Sequence, residues 1–403
     1  MPINTSLFSP QTLIIYALTI LLGGMYALIA PTLSLYLSQE AGVRPFAVGV
    51  FFVGTAMASI IYSQTIAKWS DRTAQRHNLI LWGMILGGLA CLLFASTKNY
   101  WLIVLTGITF FSLSSSVFPQ VFALTREYAD QNLAPESTTL FNSIVRSCIA
   151  IAWVAAPPLG FFLQSTIGFE ALYFWVGGFY ALVGVVAYYA LPRVPRRESR
   201  VPALALPKGS NAIWLMVISF TLLFATNHSY LLSLPLLVTQ ELNAPAYFAG
   251  WLMGTAAVLE IPVMLLTGWL ANRLGLIGMI RFGCSAAIAL YCAVWQAESV
   301  WQLFALQILN AIFIGCIAGL GITLFQNMLP GKAGVASTLF TNTNQMGNVV
   351  GGLFIAIFAD ILGYQHMFAV NMLAALIALI ALFILKRDQK PQPNHYSEAA
   401  TTS

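Results

Sequence analysis

Apolar residues in this chain run in long unbroken stretches, and polar residues gather in short breaks between them. The pattern is neither the alternation of a half-buried strand nor the one-sided stripe of a soluble helix. A helix needs roughly twenty residues to cross about 30 Å of hydrocarbon, and twelve such segments can be placed. In the first half they run from Gln11 to Leu37, Phe46 to Ala67, Asn78 to Ser96, Tyr100 to Leu124, Ser137 to Gln164 and Gly168 to Leu191. In the second half they run from Asn211 to Thr239, Ala246 to Ala271, Leu276 to Gln296, Val300 to Asn327, Val335 to Asp360 and Tyr364 to Leu385. Between the halves, Pro192 to Gly209 holds four prolines, four arginines and Lys208 with no long apolar run, which is linker composition. The expected organisation is an all-α membrane protein with twelve transmembrane helices. A six-helix bundle covers 1–191, a cytosolic linker 192–210, a second bundle 211–388 and a cytosolic tail 389–403.

The halves echo each other at an offset of about two hundred residues. Gln39-Glu40 returns as Gln240-Glu241, and Gly54-Thr55-Ala56 as Gly254-Thr255-Ala256. Ser70-Asp71-Arg72 returns as Ala271-Asn272-Arg273, and Ser137-Thr138 before Phe141-Asn142 as Ser337-Thr338 before Phe340-Thr341-Asn342. A duplicated bundle related by an axis along the membrane normal belongs to alternating-access carriers, with the solute site near the midplane.

Composition agrees with this and removes other classes. Of 403 residues, 59% are hydrophobic and 8% charged, whereas soluble domains spend roughly a quarter on charge; the lipid bilayer is the expected surrounding partner. The net charge of +5 is spread between apolar segments, which fits membrane orientation and not a nucleic-acid surface. All Lys and Arg except Arg44, Lys98 and Arg146 fall on one side if the amino terminus is inside, so both termini are expected in the cytosol. The first apolar stretch has no basic residue before it and no cleavage site, so it reads as a retained span. The five cysteines lie in apolar segments without CxxC spacing, and His77, His228, His366 and His395 are scattered with no second ligand at i+3 or i+4. No metal site, cofactor or enzymatic nucleophile–base pair is expected.

Particular stretches carry a family likeness. Ala67 to Arg76 matches the loop G-x-x-x-D-R-x-G-R-R through Asp71, Arg72 and Arg76, with alanine at both glycine positions. In the fifth segment, Ala152, Ala156-Pro157 and Gly160 follow the antiporter pattern G-x-x-x-G-P-x-x-G with alanine for the two leading glycines. To these add Ala30-Pro31-Thr32-Leu33-Ser34-Leu35, Phe122 through Asp130, Met253 through Pro262 and Leu339-Phe340-Thr341-Asn342. Together they resemble the sugar efflux transporter family of the major facilitator superfamily over nearly the whole chain. The resemblance implies proton-coupled export of mono- or disaccharides and related glycosides; the expected setting is a bacterial inner membrane, and the expected state a monomer without cofactor. It also implies that helices five and eight lie side by side at the seam, and that helices one, four, seven and ten line the cavity.

Ionisable residues at mid-helix are costly in lipid and mark function. Arg146 lies nine residues after Ser137 and Glu260 eleven residues before Ala271, both roughly 15 Å from the expected cytosolic face at 1.5 Å per residue. Their expected role is a proton-coupling pair across the seam, and the competing role is a static clamp between the halves. A sugar site needs donors and acceptors around a ring of hydroxyls but no charge. Gln120, Asn227, His228, Gln307, Asn310, Asn344 and Gln345 are the candidates, with interhelical hydrogen bonding as the plainer role for each amide. Tyr26 and Tyr230 are candidate stacking surfaces, and His228 a second candidate proton carrier.

Following the resemblance, Asp71 and Arg72, read as loop residues, would latch the cytosolic side by placing Asp71 at the amino end of helix eleven. Arg126, Glu127 and Asp130 either share that latch or form a surface cluster. Two rivals stay open within transport: a multidrug exporter, which wants a larger greasy cavity, and a sugar importer of the same fold.

Overall fold

The computed structural model describes residues 7–73, 75–193, 211–329 and 333–385. The expected tail and most of the linker lie outside them.

Ten helices among the described residues are long and apolar enough to cross a membrane, and two glycines raise the number of crossings to twelve. Gly168 interrupts the helical run Pro135–Ala190 at φ 80 and ψ 171, and Gly363 interrupts a later one at φ 81 and ψ 167. Both conformations are open to glycine and strained for other residues. Each ends one crossing and starts the next without a loop.

The crossings are α1 (Pro10–Gln39), α2 (Pro45–Thr73), α3 (Arg76–Ser96), α4 (Tyr100–Asn132), α5 (135–167) and α6 (169–190). Then follow α7 (Asn211–Glu241), α8 (Tyr247–Leu274), α9 (Leu276–Trp295), α10 (Val300–Met328), α11 (333–362) and α12 (364–384). Local chemistry sets many of the starts. Ser9 accepts from the Thr12 amide ahead of Pro10, Asn99 accepts from the amides of Trp101 and Leu102, and Ser299 and Gln302 form a reciprocal capping box. Each cap contributes about 1 kcal/mol. Turns of π-helix interrupt α4 at Gly107–Phe111, α7 at Leu237–Glu241 and α11 at Ile355–Ala359.

Two sequence expectations are corrected. Helix α2 continues through Asp71 and Arg72 to Thr73, and α4 continues through Arg126, Glu127 and Asp130 to Asn132. These charged residues lie on the last turns of helices, not in loops.

The surface is apolar and the interior holds many of the polar side chains, as lipid requires. Trp101, Trp175 and Trp301 are each at least 70% exposed, while Gln307, Asn310, Asn371 and Ser229 are buried. Aromatic rings fill each half. Tyr36, Phe94, Phe169 and Tyr173 interlock in the first, and Phe220, Phe224, Phe325 and Phe340 in the second.

The halves meet tightly at the end away from the chain termini. A β-carbon on Gly49 of α2 would collide with the Ala356 amide of α11, and one on Gly352 would meet Val53 at 3.0 Å. One on Gly250 of α8 would lie 2.8 Å from the Pro157 carbonyl of α5, and one on Gly254 the same distance from the Val154 carbonyl. Gln240 donates to Ser38, and the Phe46 amide, at the start of α2, donates to Asp360 at 3.5 Å. At the same end Lys98 pairs with Glu40 at 2.7 Å and lies 3.6 Å from Glu170. The hydrogen bond to Glu40, then the charge of Glu40, hold the exposed Lys98 ammonium above its ordinary pKa.

Candidate transport site

One turn of α7, residues 226–230, gathers most of the polar groups at membrane depth. The Tyr230 hydroxyl accepts from Gln307 Nε2 at 2.8 Å, and Asn310 Nδ2 donates to Gln307 Oε1 at 3.1 Å. On the same turn, the Thr226 carbonyl accepts from Asn371 of α12 at 3.3 Å. His228 faces α11, beside Asn344 and against Gly351, where an added β-carbon would stand 3.0 Å from His228 Cβ. Asn227, Asn344 and Gln345 are half-buried on the same two helices. Glycines at 347 and 351 let α11 approach α7 to backbone contact with Phe224 and Ala225.

This cluster is incompletely satisfied. Among the described residues, His228 Nε2, Asn310 Oδ1 and Asn371 Oδ1 are buried without a hydrogen-bond partner, and the Tyr291 hydroxyl lies against Thr226. Most buried polar atoms find one, so these three atoms leave the cluster with hydrogen-bonding capacity that a solute or water can fill. Tyr230 packs edge-on against Phe368 and is buried, whereas the half-buried Tyr26 stacks on Phe111 at 5.8 Å. Both rings are occupied by the protein's own aromatics.

Gln120 stands apart from the other candidates. It is 1% exposed near the termini-bearing end of α4, where its Oε1 accepts from Ser70 Oγ at 2.7 Å and from Arg76 Nη1 at 3.0 Å. Arg76 also forks onto Glu127, with Nε 3.1 Å from Oε2 and Nη2 2.8 Å from Oε1. The guanidinium ties the end of α2, the start of α3 and α4 into one knot, a charge-assisted and geometrically specific arrangement. Arg126 and Asp130 are exposed on the neighbouring face of α4. The side chains of Asp71, Arg72 and Arg146 lie outside the described ones.

Glu260 sits on α8, half-buried, with no hydrogen bond or ion pair among the described residues. Helix α8 packs antiparallel along α5, and the contacts of Gly250 and Gly254 with residues 154–158 set their register. Extending that register puts Glu260 level with residue 149 or 150 of α5, about one turn (~6 Å) from Arg146.

Several contributors were absent from the sequence candidates: Ser70 and Arg76 in the knot, and Thr226, Tyr291 and Asn371 in the cluster. Asn371 had a visible signal, an amide alone in the apolar run Phe368–Ile384. The joining of Arg76 to Gln120 and Glu127 had none, since they lie 44 and 51 residues away.

Twelve crossings in two repeated halves, shut at one end and carrying a neutral polar cluster at depth, define a secondary carrier with the architecture of the major facilitator superfamily. The Major Facilitator Superfamily model matches residues 15–297 and 285–402. The chain is 42% identical over 352 residues to "Sugar efflux transporter A" of Dickeya chrysanthemi, covering 86% of this chain and 89% of that one. It is 37% identical over 389 residues to "Sugar efflux transporter B" of Salmonella typhimurium (strain LT2), covering 96% and 97%. In fold it is similar to a crystal structure of the nucleoside transporter NupG, with TM-score 0.79 and 14% identity over 93% of this chain and 99% of that one. This chain belongs to the sugar efflux transporter family of the major facilitator superfamily.

Proposed function

We propose that this protein exports small sugars from the bacterial cytoplasm, through the inner membrane, by proton antiport with alternating access. The observation that carries the solute class is the α7 cluster, a set of neutral donors and acceptors in which His228 Nε2 and Asn310 Oδ1 are left unpaired. A ring of hydroxyls can satisfy both kinds of atom without bringing charge into the membrane. Asn227, His228, Asn344 and Gln345 meet the solute, and Gln307 and Asn310 orient the cluster through Tyr230. A cluster built of amides, an imidazole and hydroxyls favours this over the greasy cavity of a multidrug exporter.

The halves 1–191 and 211–388 rock as units of a monomer, and the termini, linker and tail face the cytosol. The tight end of the molecule is then its outer face. The Arg76–Glu127–Gln120 knot, with Asp71, Arg72, Arg126 and Asp130 beside it, is the cytosolic gate. Glu260 carries the proton. Movement at the α5–α8 seam changes the distance between Glu260 and the cation of Arg146, and so links proton binding to the transport cycle.

The test uses inside-out vesicles with labelled lactose, glucose, arabinose or a thiogalactoside supplied outside. An acidic vesicle interior is expected to drive sugar uptake into the lumen, and a protonophore to abolish the gain. Vesicles that move none of these sugars would overturn the substrate class; movement indifferent to the proton gradient would overturn antiport.

A further inference from the structure

At the outer face a second polar space lies between the two halves. A hollow of about 470 Å³ is lined by Gln39 at the end of α1, Gln164 and Ser165 at the end of α5, Thr239 at the end of α7, and the turn from Asn243 to Ala246. It is distinct from the α7 cluster, since Thr239 stands nine residues beyond Tyr230, ~14 Å along the helix axis. Its size falls in the range of small-molecule sites.

The chemistry of the lining is selective. The lining includes three amide side chains and two hydroxyls, whose protons go to carbonyls of their own helices and leave their oxygens as acceptors, and none of the lining side chains is ionisable. Gln164 Oε1 is buried without a partner among the described residues, and rotation about its last torsion, which is soft, turns that acceptor toward the hollow. Asn243 holds the turn at φ 50, a left-handed conformation that asparagine tolerates. Beside the hollow, Gln240 donates to Ser38 across the seam. Such a wall suits a neutral polyhydroxylated molecule and excludes an ion, whose charge would go unmatched.

The two sides of the hollow belong to different halves. Gln39, Gln164 and Ser165 come from the first, and Thr239 and Asn243 from the second, so opening the outer gate pulls the site apart. A ligand that binds only the closed arrangement shifts the population toward it. We propose that this hollow is an outer site for the exported class of sugar, and that sugar accumulated outside occupies it, holds the halves shut at that face and slows export. The proposal rests on the sugar reading above.

Right-side-out vesicles loaded with labelled sugar, with graded unlabelled sugar outside, separate the two ideas. Simple exchange through the central site would speed loss of label as outside sugar rises. The outer site predicts that export by the unmodified transporter falls at least about threefold instead. The double substitution Gln164→Leu with Asn243→Gly keeps the left-handed turn and removes two amides. It is expected to abolish that inhibition while leaving the half-saturating inside concentration within about twofold. Ser165→Ala, a milder change, is expected to weaken the inhibition about twofold and serves if the double variant fails to insert. Unchanged inhibition in these variants, or an equal shift for inside sugar, would overturn the outer site. An exporting transporter indifferent to outside sugar would overturn it alone, and a transporter that exports no sugar would remove the substrate reading together with it.

Discussion

The two halves share an architecture and divide their polar groups differently. Both turn from their fifth to their sixth crossing at a glycine with φ near 80, Gly168 in one and Gly363 in the other. In the first half the strong described polar contacts sit at the ends of the bundle, with Arg76 on Glu127 at one end and Lys98 on Glu40 at the other. The second half has end contacts too, such as Arg281 on the Leu382 carbonyl and Glu241 on the Tyr364 amide, but it adds a neutral set at depth, where Gln307, Asn310, Tyr230 and Asn371 form the cluster around α7. Lipid tolerates charge at helix ends and penalises uncompensated polarity at the centre. Under the proposed function the second half bears the cost of the binding site, and the first half bears the cytosolic gate. Substitutions in the two halves should change different kinetic quantities.

The largest effect is expected where the halves touch. Gly49→Val places side-chain atoms against the Ala356 backbone, and overpacking of about 1–3 kcal/mol would hold the outer face open. Export should fall ~10-fold or more, and an outer-end cysteine reporter should be labelled continuously. Gly178→Val, at a glycine with open space around it, should behave as the unmodified protein.

Next comes a pair that separates the roles of the halves. Gln307→Leu removes the donor to Tyr230 and leaves Asn310 without its acceptor, costing about 1–3 kcal/mol. The KM for sugar should rise about tenfold. Gln120→Leu, which breaks the contact with Ser70 and Arg76, should leave KM unchanged and reduce the maximal rate severalfold. A matching rise in KM for both would erase the distinction.

A smaller effect is expected of Glu127→Gln. It keeps a hydrogen bond to Arg76 but loses the ion pair, which should lower the rate about threefold with KM unaltered.

The smallest belongs to Lys98→Met, at an exposed pair of the kind that contributes little. The raised Lys98 pKa means that its ion pairing is complete below the ordinary lysine value of about 10.4 and is lost only as pH rises through the folded value. Transport measured between pH 5 and 8 should have the same pH profile in Lys98→Met as in the unmodified protein.

Hydropathy made the crossings legible because apolar length alone decides them, and the two glycine kinks fell where adjoining segments meet. The helix ends were harder to read. Lys68, Asp71 and Arg72 look like a loop in sequence, yet a helix leaving the bilayer can carry charge on its last turns, and α2 does so to Thr73. Asn227, His228 and Asn344 stood out as polar residues in apolar runs, and the structure brings His228 and Asn344 together. Gln120 carried the same signal but lies in the Arg76 knot, a placement set by a residue 44 positions away. Periodicity cannot report such a contact, so polarity in a span marks importance without saying which face uses it.

The central claim is that Glu260 joins proton movement to sugar movement, and one variant tests it directly. In vesicles carrying Glu260→Gln, a proton gradient should no longer concentrate sugar, while exchange of labelled for unlabelled sugar across the same membrane should continue. Continued gradient-driven concentration by that variant would contradict the account.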